Sequence, residues 1–176
     1  MKVVLIGYRC TGKTAAGTRL AERLGLPFFD TDAMIEARAG KTIPEIVAEE
    51  GWAFFRAQEK EIIGGFSGMR DCVLAPGGGA VMDRENLALL KERGVLIWLV
   101  ADEATIVSRM NADSLIGKRR PALLGVDSQA ETIPLLAERA PVYRSAADFS
   151  IDTSGKDIEV VVDEICDCIR PRTTGA

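Results

Sequence analysis

Gly7 and Gly12 bracket four residues in the stretch GYRCTGKT, and Lys13 and Thr14 follow at once. That spacing, G-x-x-x-x-G-K-[ST], is the signature of a phosphate cradle. Glycine is needed there because backbone amides must approach an anion closely and adopt positive φ. A lysine in this place reaches the β and γ phosphates, and the threonine hydroxyl binds Mg²⁺. Gly7, Arg9, Cys10, Thr11, Gly12, Lys13 and Thr14 are therefore candidate nucleotide-binding residues, with Thr14 as a metal ligand and Lys13 as a candidate catalytic cation. The motif implies nucleotide binding; it does not say which reaction follows.

Five other groups carry chemical potential and an ordinary alternative each. Asp30 and Asp32, read as the end of one strand, share its parity and could both face a cleft, or could be turn or cap carboxylates. Gly77, Gly78 and Gly79 follow an apolar run and could be a tight turn or a place where backbone meets a ligand. Arg56 has Glu59 three residues on, by default a surface ion pair. The cations of KRRPALL read as a solvated loop, or as arginines that close over phosphates in a phosphoryl-transfer enzyme. Arg139, in ERAPVYR, could simply finish a helix against its negative end.

Composition narrows the chemistry. The chain has 176 residues, 47% of them hydrophobic and 27% charged, which suits one globular domain spanning 1–176. A formal charge of −4 gives no global field for nucleic acid, so an anion site must be built from a few local cations. No apolar run approaches the ~20 residues of a membrane span. The opening MKVVLIGYR runs straight into the glycine loop and reads as a buried strand rather than a signal peptide. Four cysteines with neither C-x-x-C spacing nor a disulfide framework suit a reduced, cytoplasmic chain. With no histidine, proton transfer must use carboxylates, lysine or water.

The elements that must position these residues follow from periodicity. Val3–Ile6, Leu26–Asp32, Cys72–Ala75, Val95–Val100 and Phe149–Thr153 read as strands. Helices are expected from Thr14 to Leu24 with Gly25 as the stop, and from Thr42 to a close at Gly51, with Glu45 completing a capping box. An amphipathic helix follows Trp52. Others cover Leu87–Arg93, Ala104–Met110, Ser128 toward Arg139, and Ile158–Ile169. Strands alternating with helices predict an α/β fold, a parallel sheet covered on both faces.

In their order and spacing, the loop, FFDTD, FFRAQE, GGGAV, RRPALL and ERAPVYR resemble the shikimate kinase family over nearly the whole chain. The resemblance implies a single-domain P-loop kinase of the nucleoside-monophosphate-kinase type, with a five-stranded parallel sheet flanked by helices. It implies a substrate-binding region over about 30–60 and a mobile lid over about 111–125. It implies transfer of the ATP γ-phosphoryl group to the 3-hydroxyl of shikimate, with Mg²⁺, by a monomer acting in the cytoplasm. The roles it carries over are specific. Asp32 holds ring hydroxyls and could accept the proton of the attacking one, and Asp30 assists Mg²⁺ through water. Arg56 and Arg139 grip the substrate carboxylate, and Gly77–Gly79 lay backbone against the ring. Arg120 neutralises charge on the transferring group, and Arg109 is a nucleotide-side arginine.

Two departures stand out. Cys10 occupies a place where the family loop carries glycine. The segment from Arg109 to Arg120 is longer than the family pattern, which makes Arg119 a rival for the lid role. Two other readings compete: a sibling kinase acting on gluconate or a nucleoside monophosphate, and a nucleotide-binding switch. The switch would have no organised acceptor site, whereas paired carboxylates, a glycine run and two separated arginines suggest one.

Overall fold

Lys2–Ile6 form β1, every residue of it buried, because alternate side chains go to opposite faces and both faces are covered. The structure, a computed structural model, describes residues 1–112 and 132–170. After β1 come α1 (Lys13–Leu24), β2 (Phe28–Asp30), α2 (Thr31–Ala39), α3 (Ile43–Gly64), β3 (Cys72–Ala75) and a 3₁₀ turn at Ala80–Met82. Then follow α4 (Arg84–Lys91), β4 (Gly94–Val100), α5 (Glu103–Ala112), α6 (Thr132–Ala146), β5 (Phe149–Asp152) and α7 (Ile158–Ile169).

The five strands make one parallel sheet in the order β2-β3-β1-β4-β5. Val3, Leu5, Val73, Ile97, Leu99 and Ile151 pack on one face with Leu20 of α1 and Val162 and Ile165 of α7. Val4, Ile6, Leu74 and Leu96 pack on the other with Ile35 of α2, Phe55 and Ile63 of α3, and Tyr143 of α6. β1 lies between β3 and β4, so its carboxyl end opens where the order of connection reverses. That is the crevice in which open α/β sheets bind ligands.

Several boundaries differ from the sequence expectation, each for a local reason. β2 stops at Asp30, and Asp32 lies in the first turn of α2, because the Asp30 carboxylate accepts the Asp32 and Ala33 amides as an N-cap. The expectation that both aspartates share a strand face is therefore corrected. Gly51, by contrast, closes the short helix as expected (φ 83°, ψ 169°), and the second helix follows at once, so α3 is two helices joined at a kink. α6 runs past Arg139 and through Pro141 to Ala146; burying Tyr143 and Ala146 outweighs the hydrogen bond that proline removes. The capping box at Thr42 is present, the Glu45 carboxylate accepting the Thr42 amide at 2.7 Å. None of the four cysteines is in a disulfide. Among the described residues, no helix is long and apolar enough to cross a membrane. The expected lid lies outside the described residues except for Asn111 and Ala112, which finish α5.

Candidate active site

The loop between β1 and α1 turns on Gly7 (φ 145°), Cys10 (φ 61°) and Gly12 (φ 92°). Gly12 is the N-cap of α1 in the left-handed region, which opens the helix's first amides toward the carboxyl ends of the strands. Lys13 folds back across the loop and donates to the carbonyl oxygens of Gly7 and Tyr8, each at 2.9 Å. It is only 8% exposed, so it does not point into an open solvated loop. The Thr14 hydroxyl donates to Asp30 Oδ2 at 2.8 Å, while Asp30 Oδ1 caps α2. Asp30 thus combines the two roles that the sequence offered as alternatives. Thr14 and Asp30 present a pair of hard oxygens, and Mg²⁺ needs only one or two such protein ligands beside phosphate and water. The donor chemistry fits the ion.

Two adjoining hollows meet here. A groove is lined by Cys10, Gly12, Lys13, Thr14, Asp30 and Arg109, among others. A smaller pocket beside it is lined by Tyr8, Asp32, Trp52, Phe55, Arg56, Glu59, Gly77–Gly79 and Arg139. Arg9, Asp32 and Ile43 line both, so the two hollows share a wall. Arg9, expected only on the nucleotide side, also faces the pocket. Its guanidinium donates to the Tyr8 hydroxyl through Nε (3.2 Å) and Nη2 (3.0 Å).

The pocket's cations are held in place rather than adrift. Arg56 Nη1 pairs with Glu59 Oε2 at 2.7 Å, and Glu59 is 1% exposed. The surface ion pair expected from the i,i+3 spacing is instead a wall of the pocket. The Arg56 guanidinium also stands 5.1 Å from the Phe55 ring and 5.6 Å from the Trp52 ring. Arg139 is buried in the middle of α6, 6.0 Å from the Tyr8 ring, and so does not finish its helix.

The glycine turn is a contact surface. A β-carbon on Gly77 would stand 2.6 Å from Asp32 Oδ1 and 2.8 Å from Glu59 Oε1, and one on Gly79 2.6 Å from Arg56 Nη2. Only backbone without side chains lets these charged groups close on the turn. The Gly77 amide donates to Thr31 Oγ1 at 3.1 Å, and the Tyr143 hydroxyl donates to the Gly78 carbonyl at 2.5 Å. These bonds tie the turn to α2 and α6.

Of the residues singled out in the sequence, Arg9, Cys10, Gly12, Lys13, Thr14, Asp30, Asp32, Arg56, Gly77–Gly79, Arg109 and Arg139 converge on the two hollows, whereas Gly7 and Thr11 belong to the loop without lining either. Arg119 and Arg120 lie outside the described residues. Sequence reasoning missed Tyr8, Thr31, Trp52 and Tyr143. Tyr143 had a usable signal: it is four residues after Arg139, hence on the same helix face.

The shikimate kinase family model matches residues 9–170. A shikimate kinase of Syntrophus aciditrophicus is 46% identical over 93% of this chain and 88% of its own length. One of Symbiobacterium thermophilum is 41% identical over 98% of each chain. Among solved structures, shikimate kinase from Acinetobacter baumannii in complex with shikimate superposes with a TM-score of 0.90. The two are 32% identical, over 99% of this chain and 95% of that one.

Proposed function

The chain belongs to the shikimate kinase family, and from that premise we propose that it transfers the γ-phosphoryl group of ATP to the 3-hydroxyl of shikimate. The observation that carries this reading is the shared wall: a pocket with two fixed arginines and a buried aspartate opens beside the phosphate loop. The groove takes ATP and the pocket takes a small, carboxylated, hydroxyl-bearing acceptor.

Each side chain then has a physical task. Arg56, oriented by Glu59 and flanked by rings, pairs with the substrate carboxylate together with Arg139, since a planar guanidinium can pair with both oxygens. Asp32 receives the ring hydroxyls against the backbone of Gly77. A phosphoryl-transfer transition state is loose and asks little of a base, so Asp32 chiefly orients the attacking hydroxyl and takes its proton late. Lys13 and the first amides of α1 hold the transferring group's oxygens. Arg120 adds a cation from the segment beyond α5, and Arg109 stands on the nucleotide side. Thr14 and, through water, Asp30 would hold Mg²⁺, which would supply charge neutralisation at the phosphates. The reading takes a single chain as the working unit, and four thiols outside disulfides suit a reducing cytoplasm.

The carboxylate grip is directly testable. Arg56→Ala should weaken shikimate binding roughly ten- to 150-fold, the value of one charge-assisted hydrogen bond, with ATP binding nearly unchanged. Arg56→Lys should recover only part, because an ammonium has no planar fork. Titrating wild type and Arg56→Ala with shikimate and its carboxamide separates charge recognition from general damage. Wild type should prefer the carboxylate strongly and the variant much less; an equal preference in both would place the carboxylate elsewhere.

A further inference from the structure

Thr153 follows β5 and is 3% exposed; it is not among the residues lining either hollow. Its hydroxyl oxygen nevertheless sits 3.1 Å from the Thr11 carbonyl of the phosphate loop and 3.1 Å from the Val100 carbonyl at the end of β4. The hydroxyl has one proton. A carbonyl oxygen has two lone pairs, so the Val100 carbonyl accepts the Thr153 amide at 2.8 Å as well, and the one hydroxyl proton serves the Thr11 and Val100 carbonyls in turn. A lone pair of the same oxygen accepts Arg109 Nη1 at 3.2 Å, and Arg109 Nη2 donates to the Thr153 carbonyl at 2.8 Å. Arg109 Nη1 also donates to the Cys10 carbonyl at 3.0 Å. Two successive carbonyls of the loop, Cys10 and Thr11, are thus clasped by one arginine and one threonine.

The consequence follows from peptide geometry. In a trans peptide the N–H points opposite to the C=O, so fixing the Cys10 and Thr11 carbonyls fixes the directions of the Thr11 and Gly12 amides. Those amides belong to the anion-binding loop. Cys10, moreover, holds φ 61° without being glycine, a conformation that persists only where neighbours enforce it. The turn that carries Thr153 is itself anchored, the Asp102 amide donating to Ser154 Oγ at 2.9 Å and the Ser154 amide to Asp152 Oδ1 at 2.8 Å.

We propose that Thr153 is a positioning residue for nucleotide binding, which aims the phosphate-loop amides by holding the Thr11 carbonyl and the Arg109 guanidinium together. This rests on the reading of the loop as the nucleotide site. The experiment compares wild type, Thr153→Val and Thr153→Ser, with Kd for ADP and for shikimate by calorimetry and KM for each substrate. Thr153→Val keeps the shape and loses the hydroxyl. It should weaken ADP roughly five- to tenfold and raise the KM for ATP in parallel. Shikimate affinity should stay within about twofold, because the loss is confined to the loop. Thr153→Ser keeps the hydroxyl and should restore ADP affinity.

ADP affinity in Thr153→Val equal to wild type overturns the role. So does an equal loss for both ligands with a lowered Tm, or failure of serine to rescue. Should the valine protein not fold, Thr153→Cys, whose thiol is a weak donor of similar bulk, takes its place, and wild-type ADP affinity there is equally contrary. Wild type that bound no ADP would sink the nucleotide reading itself, an outcome distinct from any change at Thr153.

Discussion

Arg56 and Gly79 illustrate how one missing atom positions a charge. Gly79 has ordinary backbone angles (φ −90°, ψ −8°), so alanine there would cost no backbone strain. Its β-carbon, however, would overlap the Arg56 guanidinium, with Nη2 at 2.6 Å and Nη1 at 2.9 Å. The flexible arginine would yield rather than the turn. Gly79→Ala should therefore leave Tm within a degree or two and weaken shikimate to the level of Arg56→Ala, roughly ten- to 150-fold. Combining the two substitutions should add little, since they remove the same interaction. Calorimetric titration of the two single variants and the double variant measures this, and fully additive losses would separate Gly79 from Arg56. The sequence disclosed Arg56 and the glycine run but not their contact. Nothing in residue spacing says that a turn after β3 meets a helix begun thirty residues earlier, and the same blindness turned the Arg56–Glu59 pair into a surface feature.

At the scale of elements, caps were more legible than strand ends. The Thr42–Glu45 box was readable because both partners lie within one turn. Helix α2 was missed because Asp30 serves as strand end, N-cap and partner of Thr14 at once, and a strand reading absorbed Asp32. A similar cap opened α4 three residues before the expected start. Asp83 Oδ1 accepts the Glu85 and Asn86 amides at 2.8 and 2.9 Å. The Asn86 amide, then that of Glu85, holds the Asp83 carboxyl below its ordinary range. A lowered carboxyl pKa adds stability above the unfolded value and loses it as pH falls through the folded value. Asp83→Ala should cost ~1 kcal/mol at neutral pH, or about 2–4 °C in Tm. Asp83→Asn retains an acceptor that does not titrate, so its Tm should fall less steeply than that of wild type below about pH 4. Parallel acid slopes in thermal melts at pH 3–7 would remove the cap from the account.

Across the whole molecule, the order β2-β3-β1-β4-β5 determines where chemistry can happen. β1 delivers the phosphate loop, β3 the glycine turn, and β2 Asp30 with Asp32 just beyond it in α2, all at the carboxyl ends of neighbouring strands. Alternation of apolar runs and helices made the parallel sheet legible in advance. The resemblance supplied the number of strands but not their order, because periodicity within a strand carries no information about its neighbours. Residue types suggested an acceptor site and the resemblance named Asp32, Arg56, Gly77–Gly79 and Arg139 for it, but its shape was invisible in sequence, since it depends on α2, α3 and α6 closing over the turn after β3.

That closure makes the central claim one about the acceptor, and acceptor choice tests it most directly. The measurement is ATP consumption by the full chain with Mg²⁺ and, separately, shikimate, gluconate and nucleoside monophosphates, with the product's phosphate position assigned by ³¹P–¹H coupling. The account predicts rapid turnover with shikimate alone and phosphate on its 3-oxygen. Turnover of gluconate or a nucleoside monophosphate with shikimate inert, or phosphate on another hydroxyl, would contradict it.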